Sequence, residues 1–128
     1  MTLLTYFWVG LGGALGSMAR LGVGVLVSRA LGDAFPVGTL AINVIGSFVI
    51  TFFSTLTLEA GPLRQTPPDG RAFVVAGVCG GFTTFSSFSL QTFELFRAGE
   101  ALLGGLNVLA SVALCLAAVW VGTVLGRG

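Results

Sequence analysis

Lysine and histidine are absent from this chain of 128 residues, and charge of either sign is scarce. Only 9% of the residues are charged, where a soluble domain carries about 25%, and 55% are hydrophobic. That balance excludes a soluble globular domain and points to an integral membrane protein. A net charge of +1 gives no reason to expect nucleic acid as a partner. Cysteine is nearly missing too. Cys79 and Cys115 both fall in apolar runs and behave most simply as small apolar residues. They form neither a disulfide framework nor a metal-ligand spacing. No enzyme is expected, and no catalytic residue is assigned. No cleavable signal peptide is expected either, because the first apolar stretch lacks a basic flank and runs too long for such a segment.

What remains is apolar sequence in four blocks, each long enough to cross a bilayer. The reading is a single all-α membrane domain over residues 1–128. Span one is expected at residues 3–27, with Tyr6 and Trp8 suited to an interfacial belt. Gly12 and Gly16 form a GxxxG pair, a face that another backbone can approach closely. Arg20 interrupts this span at a cost of about 2.5–3.5 kcal/mol on insertion scales. It either snorkels to a nearby interface or stands at the mouth of a wet vestibule that attracts anions. Residues 28–35 read as a loop carrying Arg29, Gly32 and Asp33, and Pro36 opens span two.

Span two is expected at residues 37–58. Thr39, Asn43 and Ser47 recur every four residues and share one helix face. An asparagine in hydrocarbon needs partners for its amide; a helix–helix hydrogen bond or a polar track would each supply them. Residues 59–70 are rich in glycine, proline and polar side chains and read as a loop. Span four is expected at residues 101–126, where Asn107 and Ser111 form a second polar pair four residues apart.

Span three, residues 72–93, holds the most unusual stretch: Gly80-Gly81-Phe82-Thr83-Thr84-Phe85-Ser86-Ser87-Phe88-Ser89. Each glycine weakens a helix by about 1 kcal/mol relative to alanine. The threonine hydroxyls compete for backbone hydrogen bonds. The expectation is a helix that ends near Gly80, breaks, and restarts around Thr84. Broken backbone at membrane depth survives only inside protein or beside a wet cavity, so the break is a candidate site. Phe85 and Phe88 then share a helix face. Taken alone that pair fits simple packing; the double glycine, double threonine and repeated Phe-Ser are less ordinary.

Four spans place both termini on one side. Arg64, Arg71 and Arg127 lie on that side, with Arg29 and Arg97 opposite. So small a difference gives a weak orienting signal. The chain is therefore expected to insert both ways and to pair with an inverted copy of itself, as inverted repeats do in larger transporters.

These residues resemble the Fluc (CrcB) family of bacterial fluoride channels over nearly the full length. The likeness rests on Gly13-Ala14 with Gly16 and Arg20, on Pro36-Val37-Gly38-Thr39-Leu40 running on to Asn43 and Gly46, on the whole residue 80–89 motif, and on Asn107 with Ser111. The resemblance implies an antiparallel homodimer in the bacterial inner membrane, with two fluoride pores. It assigns Phe85 and Phe88 as pore phenylalanines, Asn43 as the pore asparagine, Asn107 and Ser111 as a polar track and Arg20 as a vestibule arginine. It implies a structural Na⁺ held on the dimer axis by backbone carbonyls at Gly80 and Thr83. Thr39 joins the pore residues through its stripe with Asn43. Gln91 departs from the Glu common in the family. Two other readings are a small dual-topology multidrug exporter and a non-conducting assembly subunit. The exporter needs a carboxylate inside the membrane, and Glu94 sits only at the end of span three. The assembly subunit leaves both polar stripes without a purpose.

Overall fold

The computed structural model describes every residue except Glu59, one end of the expected loop at residues 59–70. Among the described residues, four helical segments are long and apolar enough to cross a membrane: Leu3–Leu31, Val37–Leu56, Pro68–Arg97 and Ala101–Gly126. They run alternately up and down. The second and fourth helices make the most extensive pairing, followed by the first helix against the first half of the third span.

The first helix starts at a capping box. Thr2 accepts the Thr5 N–H, and Thr5 accepts the Thr2 N–H, each at 3.3 Å. It ends at Gly32, whose φ of 76° stops the helix without a Cβ penalty. The helix thus runs one turn beyond the expected end at residue 27. Ser28 and Arg29 belong to it rather than to a loop. Helix also reaches back into the expected 59–70 loop, since Pro68 opens the third span. Proline suits a first turn, and Asp69 beside it favours the positive helix end. Asp69 accepts the Thr5 hydroxyl at 2.6 Å, and Arg71 donates to Thr57. These bonds tie the start of the third span to both preceding helices.

Packing here inverts the arrangement of a soluble core. The buried hydrophobic residues are few and include Ile42, Cys79 and Ala118, while many Leu, Val and Phe side chains lie exposed. Helices in lipid gain by close backbone contact rather than by hiding leucine. Gly12 and Gly16 supply that contact. A Cβ at Gly12 would strike the Phe73 carbonyl oxygen, and one at Gly16 the Val78 carbonyl oxygen. The GxxxG face therefore serves the fold of one chain, seating the first helix on its own third span. That facing segment, Phe73–Cys79, is a π-helix. Its wider turns let the Gly80 N–H reach the Val75 carbonyl, five residues back.

The double glycine is not where the third span breaks. Gly80 keeps helical angles (φ −63°, ψ −38°), and Gly80–Phe82 completes the helix. Gly81 is small because a Cβ there would lie 2.6 Å from the Gly13 carbonyl oxygen. The break falls at Thr83 and Thr84, both extended, and helix resumes over Phe85–Arg97.

Gly16→Ala tests this packing. Helix propensity alone would favour alanine by about 1 kcal/mol, whereas a collision with fixed backbone costs roughly 1–3 kcal/mol. The expected result is a lower thermal midpoint for G16A and none of that loss for Gly10→Ala, where a Cβ meets nothing within 4 Å. Equal midpoints for the two variants would refute the close-contact role.

Candidate functional site

The break is held open by one side chain. Asn43 donates its Nδ2 to the Thr84 carbonyl at 3.0 Å and accepts the Thr84 N–H on Oδ1 at 2.8 Å. The amide thereby imitates a neighbouring strand, satisfying both backbone groups of an extended residue inside the membrane. One Asn43 N–H remains after these two bonds. Thr84 then caps the following helix, its Oγ1 accepting the Ser87 N–H at 3.1 Å.

Two carbonyls lose their helical donors as a result. In a continued helix the Thr84 N–H would bind the Gly80 carbonyl, and the Ser87 N–H the Thr83 carbonyl. Asn43 Oδ1 and Thr84 Oγ1 take those protons instead. Gly80 and Thr83 thus present hard oxygen acceptors freed from the helix ladder, the donor type that suits an alkali cation.

An inner cavity of about 420 Å³ lies against the break. Asn43, Ser47, Gly80, Thr83, Phe85, Phe88 and Ser111 line it, with Cys79 and Cys115 among its other walls. The Phe85 and Phe88 rings lie 5.4 Å apart with their planes 50° from parallel. Phe85 is 78% exposed in the single chain. Apart from its contact with Phe88, a ring so placed is left largely uncovered within its own subunit.

A second, outer cavity of about 710 Å³ holds Arg20 and Thr39. Its walls climb the first helix through Ser17, Leu21, Gly24 and Ser28 to Arg29, and include Ser87 and Gln91 of the third span. Ser28 and Arg29 lie in the last turn of the first helix, and Ser17 lies at its middle. Thr84 lines both cavities. The stripe on the second helix passes the same junction, with Thr39 outside it and Asn43 and Ser47 inside. Among the described residues no carboxylate lines either cavity. Gln91 Oε1 is buried and has no protein partner among the described residues.

Asn107 does not join these walls. It is 2% exposed and donates Nδ2 to Thr92 Oγ1 at 2.8 Å. Thr92 Oγ1 in turn donates to the Phe88 carbonyl at 2.7 Å, and Ser111 donates to Asn107 Oδ1 at 3.4 Å. Asn107 is thus a strut behind Phe88 and Ser111, joining the fourth helix to the third span. Sequence reasoning missed Thr84 as the junction and Arg29 as a wall residue. The spacing of Ser17, Leu21, Gly24 and Ser28, in steps of four, three and four, traces the outer cavity's helix face. It was legible only with the first helix extended by a turn.

Residues 7–123 match the family model described as CrcB-like protein, Camphor Resistance (CrcB). A protein of Opitutus terrae described as a fluoride-specific ion channel FluC is 51% identical over 123 residues, covering 96% of this chain and 92% of its own. A relative of the same description from Rhodospirillum rubrum is 50% identical over 121 residues, 94% of this chain and 93% of that one. Another, from Paramagnetospirillum magneticum, is 50% identical over 122 residues, 95% and 94% of the two chains. With the match running from the first helix through the broken third span into the fourth, the chain belongs to the CrcB family.

Proposed function

We propose that this protein is a fluoride-selective channel of the bacterial cytoplasmic membrane that lets fluoride leave the cell passively. The observation that carries the reading is the pair of cavities meeting at Thr84. Among the described residues their walls hold guanidinium, amide, hydroxyl and aromatic groups and no carboxylate. The full-length likeness to relatives described as fluoride-specific channels supports it. Fluoride is small and strongly hydrated, so a path must replace its water with hydrogen-bond donors. Arginine draws the anion into the outer cavity, and hydroxyls take over the hydration. Phe85 and Phe88 line the inner cavity, and an aromatic ring is electropositive at its edge. Such edges attract an anion without binding it tightly, the compromise conduction requires. A proton-coupled exporter would need a carboxylate in these walls.

The pore of this reading is completed by a second, inverted copy of the chain. The inner cavity is open on one side, and the exposed Phe85 ring beside it suits burial against that copy. The freed carbonyls at Gly80 and Thr83, doubled by a second copy, give four oxygens for a structural Na⁺. Bound there, Na⁺ would neutralise carbonyl dipoles that are costly to bury unpaired.

Purified protein in liposomes should release fluoride and retain chloride; comparable fluxes of the two ions would end the selectivity claim. In the same assay Phe88→Ile and Phe85→Ile should each slow fluoride release about tenfold or more, about 1.4 kcal/mol on the barrier. Isoleucine keeps most of the apolar volume, so the size-exclusion profile should hold. Normal flux from both variants would return the rings to a packing role.

Orientation is tested by Gln65→Cys, on the exposed turn before the third span. A membrane-impermeant thiol reagent should label it from both faces of the membrane, above the background of the unmodified chain. Labelling from one face alone would exclude inverted pairing. Replacing Na⁺ by a large organic cation during size exclusion should shift the protein toward monomer, and an unchanged dimer would count against the cation site.

A further inference from the structure

We infer that the outer cavity is a seat for a phosphate-class oxyanion, which occupies the vestibule without passing the Thr84 junction. Its effect on flux rests on the channel reading; the binding itself does not. Size is the first argument. At about 710 Å³ the cavity is far larger than one halide needs; at about 30 Å³ per water it has room for a tetrahedral oxyanion and many waters.

Donor chemistry is the second argument. Arg20 is half-buried and Arg29 exposed at the rim, and both line this one cavity. Among the described residues neither is ion-paired with a carboxylate. The nearest acid in sequence, Asp33, accepts the Ser28 hydroxyl. Each guanidinium offers a planar fork that matches two oxygens of one oxyanion. A tetrahedral oxyanion can engage each fork with two separate oxygens, whereas a monatomic anion offers both forks a single centre.

Gln91 adds a third argument. Its Oε1 is buried without a partner, so the end of the amide left to meet the cavity is the N–H₂. Leaving an acceptor unpaired inside costs free energy. The arrangement turns another donor outward beside the hydroxyls of Thr39 and Ser87. Between the apolar Leu21, Val25 and Ile42, the polar part of the wall therefore offers more donors than acceptors. Because the cavity reaches Ser28 and Arg29 in the last turn of the first helix, the oxyanion is either free phosphate or the phosphate of an anionic lipid.

The test uses the full-length protein in maltoside micelles, titrated with inorganic phosphate and with chloride at matched ionic strength. Calorimetry and thermal midpoint are read together. Phosphate should bind and raise the midpoint where chloride does not. Arg29→Gln, at the exposed rim, should weaken binding tenfold or more. Arg20→Lys, which keeps the charge and loses the fork, should weaken it by a smaller factor. A second arm replaces phosphate with micelles doped with phosphatidylglycerol: stabilisation there points to the lipid source, and stabilisation by phosphate alone to the free ion. In liposomes, added phosphate should slow fluoride release, and less so in the Arg29→Gln variant. Normal fluoride release with no phosphate binding in either arm would overturn the seat and leave the channel reading intact. Phosphate binding without any fluoride release would overturn the channel reading and leave the seat.

Discussion

The two hydrogen bonds between the Asn43 amide and the Thr84 backbone are the constraint on which the rest depends. Extended backbone inside a membrane has no water to satisfy it, and each unmet group costs several kcal/mol. Asn43 meets both the N–H and the carbonyl of Thr84 at ordinary distances. With them met, the third span can stop at Phe82 and restart at Phe85. The inner and outer cavities then lie on either side of the restart, and the Gly80 carbonyl is released. Without them the cheapest solution for the segment would be continuous helix, which would close the junction and reclaim that carbonyl.

Around this clamp the chain is assembled by smallness. Gly12 and Gly16 let the first helix lie directly on the backbone of the π-helical segment, and Gly81 returns the favour toward Gly13. Gly122 does the same on the other side, where a Cβ would sit 2.8 Å from the Phe48 carbonyl oxygen. Bulky side chains are thereby displaced to the periphery, the opposite of a water-soluble domain. The polar residues left inside are committed in short relays. Asn107, Thr92 and the Phe88 carbonyl form one, which holds the second half of the third span against the fourth helix.

Much of this was legible in the sequence, and the failures have physical causes. The number of spans followed from length and hydropathy alone, and the fourth helix has the expected bounds. The first helix was expected to stop early because Ser28 and Arg29 look like loop; the real stop is Gly32, where a left-handed turn is needed. Composition alone makes Pro68 and Asp69 loop, although both are good first-turn residues. The break was expected at the glycines, since glycine weakens helix locally. Here their smallness answers a contact with Gly13, far away in sequence. Asn43 was expected in the pore wall, and it does line the inner cavity. Its role as a clamp could not be seen, because the partner lies 41 residues on. The four-residue spacing puts Asn107 and Ser111 on one face of the fourth helix, and the structure links them by a hydrogen bond. Periodicity could not say that Ser111 meets the cavity and Asn107 stands behind it.

Thr84 carries one more consequence. It forms the partition between the two chambers, yet its own polar groups are already engaged: the N–H and carbonyl with Asn43, the hydroxyl oxygen with the Ser87 N–H and the Ser86 hydroxyl. A partition whose polar groups are spoken for can shape what goes by without gripping it. In the proposed channel, an ion crossing from one chamber to the other meets a residue whose backbone groups are already committed. In that reading the ion's ligands lie mainly in the chambers on either side, and the threshold between them acts by contour.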